Sequence, residues 1–326
     1  MKRSWTLFAL LSIASSTTFA QEKPNDAIFR LALPVSRGQL SWRADGYTIV
    51  ESSAKANGRE VGLRGKDQSG QLTFLGFLFR VDEPAPISSA TCRDHVLALE
   101  KKSNPTLKIA STSESGKTNG PPVTVVNYMS NDRSGKTWYV VRGFVASGDV
   151  CGDLEFYGNT LISADDPALK QIFETYQLDT EYVPQFKDVF MYGEILYKHE
   201  MYKAAAPIFE QALTMLPDDN SRETMRRVTI DQAGMAYGIS GDFAKARAIF
   251  NAAIAKDPGY PMYYYNLACA DAEQNNLAQA RVHLQQAFDR KQNVLPGEAL
   301  PDPAKDNSFL PHRKNKEFWG FVEGLH

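Results

Sequence analysis

The spacing of apolar residues divides the chain into two parts. From residue 28 to residue 157, apolar and polar residues alternate in short runs, which is typical of β-strands. The run 87–102 breaks this alternation and predicts a helix with Cys92, Val96 and Leu99 on one face. The polar run 111–122 predicts an exposed loop. The predicted strands lie at about 28–33, 47–51, 60–63, 72–81, 107–110, 123–128, 137–146 and 150–157.

Strands on both sides of one helix predict an α+β domain, in which an antiparallel sheet is covered by that helix. Near residue 164 the composition changes from Val, Thr, Ser and Gly to Ala, Gln, Tyr and Met. Asp166 and Pro167 are suited to the N-cap and the first turn of a helix. We therefore predict an α+β domain over 21–164 and an all-α domain over 165–326. The predicted helices are 167–178, 186–199, 202–215, 223–239, 243–256, 261–274, 277–290 and 314–325.

Small and large residues recur with a period of 34 in the all-α part. Copies at 186–219, 227–260 and 261–294 place small residues at repeat positions 8, 20 and 27 and a large apolar residue at position 24. This register resembles the tetratricopeptide repeat (TPR), a helix–turn–helix unit. The resemblance implies a solenoid of three helix pairs, which 314–325 closes as a capping helix. The residues that carry it are Gly193, Ala205, Phe209, Ala212 and Pro217; Gly234, Ala246, Phe250, Ala253 and Pro258; and Ala268, Ala280, Leu284 and Ala287.

In this family the first helix of each repeat lines a concave groove, so the resemblance also implies a peptide-binding site. Phe190, Tyr197, Met235 and Tyr265 are expected to form one exposed apolar strip, whereas Tyr264 is expected in the core. Acidic residues beside the strip favour a partner segment that carries Lys or Arg. Family members that clamp the free carboxylate of a peptide have Asn at repeat position 9. This chain has Glu194, Met235 and Cys269 there, so such a clamp is not expected. The candidate groove residues are Phe190, Glu194, Tyr197, Asp231, Met235, Met262, Tyr265 and Asn266.

The first domain resembles the PsbP-like α+β class. The resemblance is carried by the order of elements, by the run FRLALP at 29–34 and by the Gly46-Tyr47 pair that follows. It implies a binding or accessory module.

The first twenty residues have the layout of a secretory signal peptide. Lys2 and Arg3 precede the apolar run 7–13, and Ala20 ends a small-residue cleavage site. The alternative is a membrane anchor, which needs an apolar run of about 20 residues. No later segment reaches that length. We therefore expect cleavage after Ala20 and a periplasmic or secreted protein.

Charge and cysteine content refine this picture. Loss of Lys2 and Arg3 leaves 34 of the 36 basic side chains against 38 acidic ones, a balance that predicts no nucleic-acid partner. Export permits disulfides. Cys92 and Cys151 both lie in the first domain, so we expect them to form a disulfide, with two separate buried thiols as the alternative. Cys269 lies alone in the third repeat and is expected to be a packing thiol.

The remaining polar residues offer little catalytic chemistry. One face of a predicted strand carries Cys151, Asp153 and Glu155. They form either a metal or acid–base cluster, for which His95 is a further candidate, or a disulfide followed by solvated carboxylates. The five histidines have no metal-ligand spacing, and no phosphate loop or nucleophile elbow occurs. The sequence therefore predicts neither a metal nor a cofactor.

Three functions remain, and the first is preferred. The protein is a non-enzymatic adaptor or scaffold that binds a protein or peptide segment, a small-ligand carrier, or an enzyme with a site near Asp153, Glu155 and His95. A carrier would use the aromatic residues Phe74, Phe77 and Trp138. A roomy pocket between the helix at 87–102 and the sheet would favour the carrier, and a packed core would favour the adaptor. The pattern selects neither a particular partner nor an oligomeric state.

Overall fold

A computed structural model describes residues 28–82, 84–105, 107–115, 120–132, 134–217 and 219–325. The predicted signal peptide, 1–20, lies outside the described residues. The chain divides into two compact units, and the boundary between them lies between Ile195 and Leu196, within one helix. Each unit is described separately below.

In the described residues of the first unit, ten strands form two sheets. Seven of them make an antiparallel sheet in the order β3-β4-β5-β9-β8-β7-β6, and three make a small antiparallel sheet in the order β1-β2-β10. The sequence pattern did not predict β2 or β10. The strands are β1 (Ile28–Ala32), β2 (Gln39–Arg43), β3 (Tyr47–Ala54), β4 (Glu60–Asp67), β5 (Leu72–Arg80), β6 (Lys108–Ser115), β7 (Val123–Asn131), β8 (Thr137–Ser147), β9 (Val150–Gly158) and β10 (Gln177–Asp179).

Helix α1 (Ser89–Ser103) covers one face of the large sheet, as predicted. Its Cys92 and Val96 are buried in one cluster with Val126 and Phe144 of the sheet. Leu97 completes the buried face of the helix, whereas Leu99, which we expected there, is 53% exposed. Cys92 and Cys151 form a disulfide with their Cα atoms 5.7 Å apart, which ties α1 to β9.

The opposite face of the large sheet packs against the small sheet and helix α2 (Pro167–Thr175). Trp42 of β2 is 1% exposed and meets Phe74 of β5 edge-on, with ring centroids 5.5 Å apart. Phe173 of α2 contacts Phe156 of β9 in the same way, at 5.9 Å. The side chain of Asp166 caps α2 by accepting the Ala168 N–H at 2.9 Å. Helix α2 and β10, which the composition assigns to the helical half, thus belong to the first compact unit.

The polar run 111–122 is not wholly a loop, because 111–115 continue strand β6. Strand β6 lies at the edge of the large sheet, and among the described strands it pairs only with β7. An edge strand with solvated side chains needs no apolar residues, so the hydrophobic pattern gives no sign of it.

Helix α3 (Phe186–Lys198) starts in the first unit. There the Tyr192 hydroxyl donates to the backbone carbonyls of Lys55, at 2.6 Å, and Glu60, at 2.8 Å. The second unit contains the remaining helices, and α5 and α6 have the bounds that the repeat pattern predicts. They are α4 (Tyr202–Thr214), α5 (Glu223–Ile239), α6 (Phe243–Lys256), α7 (Pro261–Glu273), α8 (Leu277–Phe288) and α9 (Lys316–Glu323).

All three repeats turn between their helices in the same way. Repeat position 15 has a left-handed backbone, with φ of 60° at Glu200, 89° at Gly241 and 61° at Asn275. The N–H of the following residue donates to the carbonyl five residues back, which is the long bond of a Schellman closure. The repeated geometry supports the register read from the sequence.

The small residues of the repeat allow close packing, as predicted. Ala246 is 1% exposed and Ala253 6% exposed. A Cβ atom at Gly234 would collide with the ring of Phe250, so this ring lies directly on the backbone of α5. Tyr264 is buried, in agreement with the sequence analysis.

After α8 the chain continues through three short 3₁₀ turns, at Lys291–Asn293, Pro303–Lys305 and Leu310–His312, before α9 begins. Phe318 and Val322 of α9 pack with Ala280 and Leu284 of α8, so α9 acts as the predicted cap. Within the described residues, no helix is both long enough and apolar enough to span a bilayer.

Candidate functional site

The concave positions of the helices are the candidate site, and they differ in exposure. Tyr197, Asp231 and Met235 are half-buried. Tyr197 lies edge-on against Tyr202 of α4, with ring centroids 4.9 Å apart. In the first unit, Phe190 is 8% exposed and its ring stacks on Phe186. The first half of the predicted strip is therefore less exposed than we expected.

Helix α7 departs further from expectation, because all of its residues from Pro261 to Ala272 are buried. Met262 and Asn266 are 4% exposed, and Tyr265 is 2% exposed. The prediction that Tyr265 is exposed is wrong. A helix at the concave surface of a solenoid keeps one face in solvent unless another element covers it.

Residues 295–312, here called the covering segment, account for this burial. The Tyr260 hydroxyl lies 2.9 and 3.0 Å from the two carboxylate oxygens of Glu298, to which it donates. The Tyr265 hydroxyl donates to Asp306 at 3.0 Å. Phe309 is fully buried, and its ring lies perpendicular to that of Tyr265 at 5.9 Å. The chain's own C-terminal part thus occupies the concave face of α7.

Two anchors hold the ends of the covering segment. Before it, the Arg290 side chain donates to the Pro258 carbonyl at 2.8 Å, and Asn293 donates to the Gly259 carbonyl at 3.0 Å. At its end, a ring nitrogen of His312 lies 2.9 Å from the Ala272 carbonyl oxygen, and α9 then packs on α8.

The covering segment brings carboxylates into a poorly solvated place. Burial raises the pKa of Asp306, although hydrogen bonds from Ser308 and Tyr265 oppose the shift. The Cys269 sulfur is 4.0 Å from Asp306, and burial followed by this carboxylate raises the pKa of the Cys269 thiol well above its ordinary value. Cys269 is 2% exposed and makes no disulfide. It therefore lies beneath the covering segment as a neutral thiol.

Asp231 and Asn266 meet between α5 and α7. The Asn266 amide donates to the Asp231 carboxylate, so these two predicted groove residues contact each other rather than stand apart. Burial and the nearby Glu298 raise the pKa of Asp231 to about 8, although the bond from Asn266 lowers it. Asp231 is therefore a half-buried, poorly solvated acid near a second acid of the covering segment, not an edge residue in open solvent.

Glu194 belongs to the first unit and is also poorly solvated. One of its carboxylate oxygens is buried without a hydrogen-bond partner among the described residues. Burial raises the pKa of Glu194 to about 7. A cation brought by a partner would stabilise the ionised form of such a carboxylate.

The candidate acids of the first unit form an ion-pair network. Arg142 donates to both carboxylate oxygens of Asp153, at 2.7 and 2.6 Å, and its guanidinium also reaches Glu100 at 2.5 Å and Glu155 at 2.8 Å. Asp153 is 2% exposed, so the expectation that these acids are solvated is wrong. Burial raises the pKa of Glu155 to about 7, whereas Arg142 lowers it. Sequence reasoning missed Arg142, whose only signal was a charge at an apolar position of an alternating strand.

The other candidates of this unit do not gather into one site. His95 lies beside the Phe79 ring, 6.4 Å between centroids. Phe74 packs on Trp42 on the face opposite α1, whereas Trp138 packs on Tyr157 at the other face. The space between α1 and the sheet is a packed core. A cavity of about 320 Å³ lies elsewhere in this unit, lined by Ser36, Arg37, Gly38, Ser147, Gly148, Asp149, Val150, Leu178, Thr180 and Glu181. Within the described ranges, no three His, Cys, Asp or Glu side chains are placed to share a metal ion.

Comparison with known proteins supports the repeat assignment. The sequence model of the tetratricopeptide repeat matches residues 239–296, which include α6, α7 and α8. The C-terminal half of the chain therefore contains tetratricopeptide repeats. No curated protein matches the chain. The resemblance of the first unit to the PsbP-like class remains a prediction.

Solved structures, two of which are named as TPR proteins, are similar to part of the chain. YrrB, a TPR protein with an unusual peptide-binding site, is 26% identical over 34% of this chain and 54% of its own, with a TM-score of 0.29. The Sgt2 TPR domain from Aspergillus fumigatus is 20% identical over 41% of this chain and 82% of its own, with a TM-score of 0.33. PcrH from Pseudomonas aeruginosa is 12% identical over 43% of this chain and 90% of its own, with a TM-score of 0.31. The chain thus spans about half the length of YrrB. Because these TM-scores are low, the assignment depends on the sequence match and on the hairpin geometry.

Proposed function

We propose that the protein is an exported, non-enzymatic adaptor whose repeats bind a segment of a partner protein on their concave face. The observation that carries the proposal is the covering segment itself. A stretch without long helices already lies along α7, held by tyrosine hydroxyls and one buried ring. Extended peptides dock on such surfaces through hydrogen bonds and a few anchoring side chains.

The chemistry of the partner follows from Asp231 in the second unit, and Glu194 of the first unit, considered by itself, has the same character. Neither carboxylate makes an ion pair within the described residues, and burial raises the pKa of both. A partner segment with Lys or Arg would supply the missing cation. Tyr197 and Met235 also occupy predicted concave positions. Both are half-exposed, so they add apolar surface that a partner could cover.

The first unit supports a binding role more than catalysis. Asp153 and Glu155 surround Arg142, so their charge serves a buried structural network. A packed core between α1 and the sheet favours an adaptor over a small-ligand carrier. The layout of residues 1–20 and the Cys92–Cys151 disulfide support export to an oxidising compartment.

A displayed peptide library selected on the immobilised full-length protein tests the binding role. We expect enrichment of peptides with a basic residue and loss of that enrichment with Asp231→Asn. Tyr197→Ala with Met235→Ala should weaken binding. Val282→Ala on α8 is the matched control, because this side chain is 48% exposed outside the concave positions. Selected peptides that bind the double variant and the control equally well would place the partner elsewhere.

Export has its own test. Mass spectrometry of the protein from the native host should give a chain that begins at Gln21. Thiol counting on the unfolded, unreduced protein should give one reactive group, Cys269. A retained N-terminus or three reactive thiols would contradict export.

A further inference from the structure

The covering segment is held in place at both of its ends. Arg290 and Asn293 hold the chain before it, and α9 holds the chain after it through Phe318 and Val322. Between these anchors its regular structure is limited to two short 3₁₀ turns. Its middle can therefore leave α7 without unfolding either anchor, and the tether keeps its local concentration high.

The contacts beneath the middle of the segment combine polar hydrogen bonds with apolar packing by Leu300, Ala304 and Phe309. Glu298 and Asp306 are held by tyrosine hydroxyls and backbone N–H groups, and neither makes an ion pair within the described part of the chain. Phe309 supplies the one large ring that inserts beside Tyr265.

The segment also places a second carboxyl group, that of Glu298, near Asp231. Glu298 is near enough to Asp231 to disfavour its ionised form. A different occupant with Lys or Arg at the place of Glu298 would replace this repulsion by an ion pair.

From this geometry we infer that the covering segment is a displaceable occupant of the partner site, which keeps the concave face of α7 closed until a partner segment takes its place. The inference depends on the proposed function, because it specifies the regulation of the same face. The occupant that fits best is an extended segment with a basic residue opposite Asp231 and an aromatic ring in place of Phe309. Binding is then weaker than the intrinsic affinity by the fraction of molecules in which the face is open.

Cys269 is a natural reporter of opening. It is buried beneath Asp306, and it is the free thiol of a chain whose other two cysteines are bonded to each other. Alkylation of Cys269 by iodoacetamide in the folded full-length protein therefore measures how often the segment opens. The reference is the thiol that Ala246→Cys introduces in a Cys269→Ala background, because Ala246 is equally buried but lies within the α6 hairpin.

Cys269 should be alkylated at least tenfold faster than the reference thiol, since local opening precedes global unfolding. Phe309→Ala should increase the Cys269 rate at least a further tenfold. A synthetic peptide of residues 295–312 should slow the reaction of this variant again, whereas the peptide with Phe309→Ala should not. Circular dichroism must show that the variant remains folded.

A gentler pair of variants keeps the test valid if Phe309→Ala disturbs the fold. Tyr265→Phe removes only the hydroxyl that donates to Asp306, and we expect a severalfold faster reaction of Cys269. Tyr237→Phe removes a hydroxyl that donates to Glu210 on α4, and we expect no change.

Equal rates at Cys269 and the reference thiol, unaffected by Tyr265→Phe, would overturn the inference, since the segment would then be a permanent part of the fold. Peptide selection on the full-length protein could still succeed, so the proposed function would survive. Conversely, fast opening without any selected peptide would contradict the proposed function alone. If both are correct, a selected basic peptide should bind Phe309→Ala at least threefold more tightly than the parent protein.

Discussion

The second and third repeats share one hairpin geometry, and their first helices lie in different surroundings. Gly241 and Asn275 form the same left-handed turn, and Ala246 and Ala280 occupy the same buried position. Yet α5 keeps half-exposed residues along one side, whereas every residue of α7 from Pro261 to Ala272 is buried. The repeat pattern thus specifies how a hairpin closes and not what lies on its open face.

Repeat position 11 shows how the two hairpins tolerate a chemical change. In repeat two, the Tyr237 hydroxyl donates to Glu210 of the preceding helix. In repeat three, Asp271 instead accepts from Arg247 of the preceding helix and contacts His283, with Nδ1 at 2.6 Å from its carboxylate. In repeat two the donor is at position 11 and the acceptor is on the preceding helix, whereas in repeat three the acceptor is at position 11 and the donor is on the preceding helix. A hydrogen bond joins neighbouring repeats in both cases. A departure from the repeat signature therefore does not imply a departure from the repeat fold.

The largest expected effect is a difference in stability between two variants, one that removes an aromatic ring from a repeat hairpin and one that removes a ring from the covering segment. Phe250→Ala should lower the free energy of unfolding by about 3–5 kcal/mol, because it empties a fully packed core site. Phe309→Ala should cost clearly less. Phe309→Ala can lower the stability by no more than the free energy with which the covering segment docks on α7. Once that free energy is lost, the segment opens and the rest of the protein stays folded. Urea denaturation followed by circular dichroism measures both costs, and equal values would make the segment part of the repeat core.

Overpacking should affect the two hairpins alike. Ala246→Leu and Ala280→Leu each add a branched side chain at a position where the native Cβ is nearly inaccessible. We expect a loss of about 1–3 kcal/mol for each variant in thermal or urea unfolding. A variant that melts like the parent protein would show that its hairpin has a different register from the one described.

The pH dependence of stability should distinguish the covered face, with a smaller effect because Asp231 is only partly buried. Its folded pKa of about 8 lies above the ordinary value of 3.8. The folded state therefore binds more protons than the unfolded state between about pH 4 and pH 8, and stability falls as the pH rises through this window. Asp231→Asn should reduce that fall, measured as the difference in unfolding free energy from the parent protein at each pH.

Asp219→Asn is the control for this measurement, because hydrogen bonds from Ser221 lower the pKa of Asp219. Its contribution is present above the unfolded pKa and is lost as the pH falls, so it affects the acid side only. Parallel pH profiles for Asp231→Asn and the parent protein would refute the assignment of a raised pKa to Asp231.

The smallest effects concern the left-handed turn. Glu200→Gly should stabilise the protein by up to about 1 kcal/mol, because a left-handed backbone costs an L-residue about 1–2 kcal/mol and glycine regains part of it. Gly241→Ala should destabilise by about 1 kcal/mol for the same reason, and Asn275→Gly should change little. Unfolding midpoints of the three variants test this order. A stabilising Gly241→Ala would contradict the shared turn.

The difference between the repeats also shows how far sequence reasoning reached. The bounds of α5 and α6, the buried small residues and the cap by Asp166 were predictable, since each depends on residues near one another in the chain. The strands β2 and β10 were not. Their short runs give little periodicity, and β10 is defined by pairing with β2 across more than a hundred residues.

The candidate site was likewise predictable only in part. Repeat spacing placed Asp231, Met235, Tyr265 and Asn266 at concave positions, and the structure brings Asp231 and Asn266 into contact. The sequence analysis also left residues 291–313 outside its predicted helices, and this stretch contains only short 3₁₀ turns. Its pattern contained no sign that these residues return across α7, because an extended segment has no period that reveals its partner.

By itself, the sequence determined the hairpins, since their helices, turns and small-residue contacts arise from interactions over a few tens of residues that repeat every 34 positions. Only the tertiary structure decided which faces are open. Arg142 draws Glu100, Asp153 and Glu155 into a buried network, and Asp306 and Phe309 cover Tyr265. Both arrangements join residues whose separation follows no period, and their stability depends on burial and charge that exist only once the chain has folded.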